Sequence, residues 1–467
     1  MTDQTESLCH GVVPLTARTE AWMEDVLADP TLCRGLLREH GSPVNLHDFS
    51  PLARNASELV EAAGSRGLTC RVFVARKANK SLGLVDAAMA AGHGIDVASL
   101  RELTQCLDRG VAPDDLIVSA AVKSDELLRT ALTAGVVVSL DNRDELDDVF
   151  RLAEAPAAVA LRMAAADPRI PDSRFGQTAD AWVAALGSAH GPGQGVEVCG
   201  VHFHLNGYSA QERAVALREA CSLVDRLREL GHRVSFIDMG GGVPMSYLRS
   251  GSQWRQFWHA LDADSDGRLT WRGDRLGLVD PDSERPSPAL YPYWQEIVRG
   301  EWLGSILDDE LDGSTVAAEL VERGLELRCE PGRSVLDGCG MTLASVAFTK
   351  TSRDGEPLVG LHMNRTQLRS TSADVLLDPR LVRDPDADTP RQVDDAFLVG
   401  AYCIEEELLL RRRLSFPQGV SRNDTVAFLN TGGYLMHILE SASHQLPLAR
   451  NLLHTGEGWR LDDIDAG

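Results

Sequence analysis

Between residues 46 and 245 the chain alternates between two textures. Short runs dense in β-branched and aromatic residues (CRVFVAR, LIVSAAV, GVVVSL, VALRM, VCGVHFHL, VSFIDM) are separated by stretches rich in Ala, Leu and Glu, such as SELVEAAGSRG, SLGLVDAAMAAG, LRELTQCLDRG and DELLRTALTAG. Strands alternating with helices of this length build βαβ units, and hence a parallel sheet covered by helices. The number of repeats predicts a closed, TIM-type (β/α)8 barrel of the α/β class rather than an open sheet. In such a barrel the reactive side chains sit at the C-terminal ends of the strands. Lys77, Arg162, His204, Gly240 and Glu330 all fall at or just after a predicted strand.

The flanks read differently. An amphipathic helical stretch runs from about Thr19 to His40 and is closed by Gly41-Ser42-Pro43. Residues 1–45 are therefore expected to form an N-terminal segment packed on a second domain. The barrel is assigned to 46–340, with an insertion at about 245–320 where the rhythm breaks into WRQFWHALDADSDGRLTWRGDRLGL and YPYWQ. This insertion is expected to form a helix and a hairpin on the barrel rim. From 341 to 467 the β-rich runs MTLASVAFTK, LVGLHM, AFLVGAY and DTVAFLN have no regular helical crossovers. They predict a C-terminal, mostly β domain of sandwich or barrel form.

Composition narrows the function. The chain has 467 residues, too many for one compact core. A net charge of −23 argues against nucleic acid, which needs a basic stripe, and against anionic membrane surfaces. The longest apolar runs fall far short of the ~20 residues of a membrane helix. MTDQTESLCHGVV has neither a basic n-region nor an apolar h-region. Nine cysteines without a CxxC pair read as reduced thiols in the cytoplasm, and no zinc spacing is present. LDADSDGRLTW imitates the start of an EF-hand, but the position that needs a bidentate Glu is Gly273. No metal site is expected.

Several segments carry chemistry. VFVARKANKS ends a β run in Lys77. A lysine at a barrel mouth is partly desolvated, which lowers its pKa and suits it to imine formation. IDMGGGVP places Gly240, Gly241 and Gly242 after a strand, where bare backbone N–H groups receive phosphate. CEPGRS supplies Glu330, Gly332 and Arg333, an acid and a guanidinium fork suited to an anion. HFHLNG, VGAYCIEEELL, HMNRTQLRST and TGGYLM add His202, His204, Cys403, Arg369 and Tyr434.

Taken in order, these blocks resemble the ornithine/diaminopimelate/arginine decarboxylase branch of the fold-type III, alanine racemase-like pyridoxal-phosphate enzymes. ARKAN is similar to the family's A-V-K-A-N. GHGIDVASLREL is similar to its G-F-D-V-A-S-x-x-E-L run, which brings Asp96 and Glu102 to matching spacing from Lys77. The resemblance covers about 43–450, apart from the insertion. It implies pyridoxal 5'-phosphate as cofactor, carried by Lys77 as a Schiff base. It implies that His204, and not His202, stacks on the pyridine ring and that Glu330 keeps the pyridine nitrogen protonated. Arg333, Tyr434 and the glycines would meet the phosphate, and Arg162 would support the cofactor-contacting network.

The family's phosphate-binding Gly-Ser is replaced by Asn206-Gly207, so Asn206 or Ser209 is the expected substitute. Cys403 inherits the role of protonating the substrate carbon, and Arg369 that of binding a substrate carboxylate. Where the family has an acid after the cysteine, this chain has Ile404, followed by Glu405 and Glu406 as substrate-binding candidates. Together these imply an amino-acid decarboxylase acting on a small-molecule substrate, a head-to-tail homodimer with sites at its interface, and an unusual substrate. Trp254, Trp258 and Trp271 of the insertion are expected to cover the site. The alternative is an amino-acid racemase or epimerase on the same fold. Racemases of the alanine type have an arginine where Glu330 stands. A non-catalytic regulator would have lost the cofactor contacts retained here.

Overall fold

The computed structural model describes residues 8–189, 195–278, 290–370 and 375–466. Its centre is a closed barrel of eight parallel strands. In chain order these are β1 (Cys70–Ala75), β2 (Gly94–Val97), β3 (Leu116–Val118), β4 (Val137–Leu140), β5 (Ala157–Arg162), β6 (Val196–His202), β7 (Phe236–Asp238) and β8 (Glu326–Cys329). β8 pairs with both β7 and β1, which closes the ring.

Alternation along each strand sorts its residues between two environments. Val72, Val74, Ile95, Val97, Leu327 and Cys329 face outward and join one core with the surrounding helices. Inward positions form layers. In the lower layer Arg328 lies over the Phe236 and Phe73 rings, at 3.6 and 5.1 Å. A side chain on Gly94 or Gly200 would collide with Phe73 or Phe236, so these glycines make room for the aromatic plug. One step toward the strand ends, Arg162, His202 and Asp238 are register partners across β5, β6 and β7. The layer above the plug is thus polar.

The second domain is a ten-stranded sheet built on the long strand Gly340–Thr351. That strand pairs with Thr425–Leu429, Pro357–Leu361 and, from the N-terminal region, Val44–His47. Val44–His47 spans the expected boundary at 45/46, so the sheet reaches slightly further into the chain than the hydrophobic pattern indicated. The predicted helix Thr19–His40 is two helices, Ala21–Leu27 and Pro30–His40. Pro30 cannot donate the amide needed to continue the first, and the Asp29 carboxylate caps the second by accepting from Leu32 N at 2.9 Å.

The segment that leaves the barrel is shorter than 245–320. Its helix Gly251–Ala263 packs into the core of the β domain, whereas Trp302, Leu303, Ile306, Val316 and Leu320 lie in the barrel's own core. Residues 279–289 of this segment lie outside the described residues. Asp264 closes the pseudo-EF-hand turn by accepting from the backbone N–H groups of Arg268 and Leu269. No helix among the described residues is long and apolar enough to cross a membrane.

The two domains are tied together beside Lys77. The fully buried Asp462 carboxylate, from the end of the chain, accepts from Ser81 Oγ and from the amides of Leu82 and Gly83 at 3.0 and 3.1 Å. It thereby caps the helix Leu82–Ala90 that follows the lysine loop. Burial raises the Asp462 pKa, but these hydrogen bonds outweigh it and leave the carboxyl below its usual range. A depressed acid contributes stability that is present above the unfolded-state pKa and lost as pH falls through the folded-state pKa. Asp462→Ala is expected to cost about 3 kcal/mol, because buried amides are left unpaired. Asp462→Asn is expected to flatten the acid limb of stability against pH. Urea unfolding between pH 3 and 7 checks both, and unchanged midpoints would contradict this role.

Candidate active site

Lys77 leaves the end of β1 in a single 3-10 turn, Arg76–Ala78. Its ammonium donates to Asp96 Oδ2 at 2.9 Å. Asp96 stands on β2 opposite Ala75 and also accepts from Ser119 Oγ. The expectation of a lysine with a lowered pKa is corrected here. Burial does push the amine down, but the charges of Asp96 and Glu330, with Tyr434 behind them, raise it above its ordinary value. Lys80, the neighbouring lysine, turns to the β domain and pairs with Glu440 at 2.5 Å.

Glu330 follows β8 and is almost wholly buried. Its backbone N–H donates to Gly240 O at 2.9 Å, which joins the EPGR turn to the glycine turn. Its carboxyl is pushed well above its ordinary range by burial and by the charges of Asp96 and Asp238. Oε2 lies 3.7 Å from His202 Nε2. Oε1 has no hydrogen-bond partner among the described residues, and neither do Asp238 Oδ2 and His202 Nε2. The three groups lie close enough to resemble a metal cluster. Burial and the Arg162 charge push His202 well below its usual pKa, and both carboxyls are raised. The cluster therefore combines two carboxyls of raised pKa with a neutral imidazole.

Arg162, at the end of β5, is anchored by Asp141 Oδ1 at 2.9 Å and Ser119 O at 2.5 Å. His204 lies beyond β6 with its ring against Gly240 and Gly241 and edge-on to Phe175, 5.7 Å between centroids. Burial and the charges of Lys77 and Arg162 lower its pKa to about 4, so the ring is neutral near pH 7.

The glycine turn has to be glycine. Gly240 and Gly242 have φ of +67° and +77°, a region L-residues rarely enter. A Cβ on Gly241 would approach Glu330 O at 3.0 Å, and one on Gly242 would strike the Arg213 guanidinium. Arg213 donates to Gly207 O at 2.8 Å and to the carbonyls of Leu205 and Gly241 at 3.4 Å. Gly332 faces the Tyr434 hydroxyl, which would meet a Cβ there at 2.5 Å. Tyr434 comes from the β domain yet joins this chain's own barrel mouth. Its amide donates to Ala78 O at 2.7 Å while its backbone adopts φ +70°.

Other expected residues lie elsewhere. Glu102 accepts from Ala98 N at 2.7 Å, which holds the loop after β2. Ser209 caps the helix Ala210–Glu229 through Glu212 N, and Asn206 is exposed, so neither is poised as the missing serine. Arg369 donates to Leu408 O at 3.1 Å within the β domain. Cys403 is exposed, with its amide 3.4 Å from His444 Nε2, and Ile404 beside it is 44% exposed. Glu405 and Glu406 lie 3.7 and 3.9 Å from Arg272, and Glu406 also pairs with Arg411 at 3.3 Å.

The tryptophan expectation is corrected as well. Trp254 and Trp258 are buried in the β-domain core, and Trp271 packs edge-on to Phe397. They seal the insertion onto the second domain because their apolar area is best hidden there. The aromatic wall at the site consists instead of Tyr208, Tyr247 and Tyr291, with Tyr291 and Tyr247 rings 4.2 and 5.9 Å from the Arg333 guanidinium. YPYWQ was the visible trace of one of them, whereas Tyr208 and Tyr247 carry no local signal. Arg213 likewise carries no local signal.

The residues fit pyridoxal phosphate. The unpartnered Glu330 Oε1 suits a pyridinium N–H, Lys77 the aldehyde carbon, and Arg333 with the glycine turn a phosphate dianion. Residues 52–263 match a family model described as the pyridoxal binding domain of pyridoxal-dependent decarboxylases. An uncharacterized protein of Sinorhizobium fredii, y4yA, is 31% identical over 456 residues, covering 96% of this chain and 95% of that protein. Diaminopimelate decarboxylase of Pseudomonas aeruginosa is 25% identical over 428 residues, with 88% and 87% covered. The crystal structure of diaminopimelate decarboxylase from M. jannaschii in complex with L-lysine superposes with a TM-score of 0.70 at 17% identity, over 92% of this chain and 90% of that one.

Proposed function

Because the chain belongs to the ornithine/diaminopimelate/arginine decarboxylase family of fold-type III pyridoxal-phosphate enzymes, we propose that it is an amino-acid α-decarboxylase with an unusual substrate. The observation that supports this reading most is Glu330, a buried acid near the Lys77 charge with one oxygen unpaired among the described residues. When bound, the cofactor supplies an electron sink for the pair left on Cα as CO2 departs. The chain's own residues hold and orient. Glu330 places negative charge at the ring nitrogen, its backbone held to Gly240 O at 2.9 Å. Neutral His204 covers one ring face without adding charge. Arg333, Tyr434 and Gly240–Gly242 take the phosphate, and Asp96 holds the Lys77 amine.

Cα then needs a proton. In this reading the Cys403 thiol supplies it across a homodimer interface, each protomer serving its partner's site. The β domain also exposes the apolar side chains of Ile404, Ile438, Leu439 and Leu448, which a dimer interface could cover.

The substrate reading rests on Ile404. Related enzymes place an acid there to meet a distal ammonium, and a branched alkyl group leaves such a charge unpaired at a cost of several kcal/mol. Ornithine, lysine and meso-diaminopimelate are expected to be poor substrates, with kcat/KM at least ~10²-fold below that of the best aromatic or acylated amino acid. A panel of L- and D-amino acids, scored for CO2 release and for chiral inversion, tests both levels. Efficient turnover of ornithine or diaminopimelate overturns the substrate assignment. Inversion without CO2 release would replace the decarboxylase by a racemase.

A further inference from the structure

Arg333 is held in an uncommon way. Its hydrogen bonds run from Nη1 to the Tyr247 hydroxyl at 3.1 Å and to Gly433 O at 3.4 Å. Its guanidinium carbon lies 4.2 Å from the Tyr291 ring centre, 5.2 Å from that of Tyr434 and 5.9 Å from that of Tyr247. Among the described residues none of its partners is a carboxylate. The other arginines of this site differ: Arg162 is anchored by Asp141, and Arg213 spends its donors on carbonyls. An arginine fixed by a carboxylate is neutralised by it, whereas one fixed by ring faces and a phenol keeps its charge for an incoming anion.

The clamp is rigid. Tyr291 is fixed through its hydroxyl, which donates to Met245 O at 2.9 Å and accepts from Gln295 Nε2 at 3.1 Å. Tyr208 and Tyr247 meet its ring edge-on, each with centroids 5.5 Å away. Tyr247 in turn rests on Tyr293, which adjoins Trp254 in the β-domain core. Tyr247 and Tyr291 both belong to the segment between β7 and the helix Arg299–Leu307, and neither is part of the IDMGGGVP or CEPGRS blocks. The insertion therefore reaches the site through Arg333.

We propose that Tyr247 and Tyr291 are positioning residues that aim an un-neutralised Arg333 at the phosphate of the cofactor. This rests on the cofactor reading above. The test titrates the full-length protein, freed of cofactor, with pyridoxal phosphate and separately with pyridoxal, which lacks the phosphate. Tyr247→Phe is expected to weaken pyridoxal phosphate roughly 5-fold through the lost hydrogen bond. Tyr291→Leu is expected to weaken it roughly 10-fold through the lost ring face. Neither is expected to change pyridoxal binding. Tyr291→Phe, which keeps the ring, is expected to stay nearer wild type than Tyr291→Leu. In an Arg333→Ala background, itself weakened on the order of 10²-fold, Tyr247→Phe is expected to add nothing, which a merely structural role would not produce. Equal losses for both ligands, or additive losses in the double variant, overturn the proposal. A wild-type protein that binds neither ligand overturns the cofactor reading instead.

Discussion

Replacement of Lys77 by alanine is expected to remove every trace of a borohydride-stable pyridoxyl label and to reduce turnover to background. Lys77 stands at the C-terminal end of β1 with its amine on Asp96. Lys80 offers the nearest rival amine, but Glu440 holds it at 2.5 Å against the β domain, and His437 Nδ1 accepts its backbone N–H at 3.0 Å. Lys80→Ala is therefore expected to keep the label, with some loss of stability from the broken pair. The pairing of Lys77 with Asp96 favours its ammonium form, so the amine must give up its proton before it can attack an aldehyde. Reconstitution of the cofactor-free protein is accordingly expected to quicken as pH rises from 6 to 9. Borohydride treatment followed by peptide mapping reads the site directly. A label on Lys80, or on neither lysine in the wild-type protein, refutes the assignment.

The second large effect concerns Glu330. Glu330→Gln preserves shape but cannot carry negative charge. The phosphate contacts assigned to Arg333 and the glycine turn do not involve this carboxyl, so cofactor content is expected to remain near wild type. kcat is expected to fall ~10²-fold or more, because the lost interaction acts chiefly where charge develops. Stability moves the other way. Burial, Asp96 and Asp238 raise the Glu330 pKa in the cofactor-free chain. A carboxyl with a raised folded-state pKa is favourable while protonated and becomes a burden as pH climbs past its unfolded-state value. The cofactor-free Glu330→Gln protein is therefore expected to match or exceed wild type in denaturation midpoint at pH 7 to 8. Activity lost while stability is gained separates a functional acid from a structural one. An unchanged kcat, or loss of the cofactor, contradicts the role.

Much of the site was legible because its chemistry lies at strand ends. Lys77, Arg162, His204, Gly240–Gly242, Glu330 and Arg333 each follow or close a barrel strand. In a closed parallel barrel all such ends converge on one rim, so motif order and the strand rhythm were enough to assemble them. The period-2 alternation determined which residues of β5, β6 and β7 point inward, and the glycine requirement at 240–242 follows from the turn itself. Motifs can identify Lys77; its charge state depends on how near Asp96 and Glu330 come to it.

What only the tertiary structure decided involves contacts between distant segments. Tyr434 belongs to the β domain yet binds Ala78 and faces Gly332, and nothing local to TGGYLM chooses between its own barrel and another protomer's. The aromatic residues of the insertion look interchangeable in sequence. Trp254, Trp258, Tyr247 and Tyr291 share one buried cluster, but the two indole N–H groups have no partner among the described residues, while the phenols found Arg333, Met245 and Gln295 and so line the site. Glu102 matched its motif in spacing, but its carboxylate was taken by the amide of Ala98, in the loop just before the helix. Spacing specifies where a residue lies along the chain; which partner satisfies its polar atoms is a competition among all groups the fold brings near, and that competition is settled only in three dimensions.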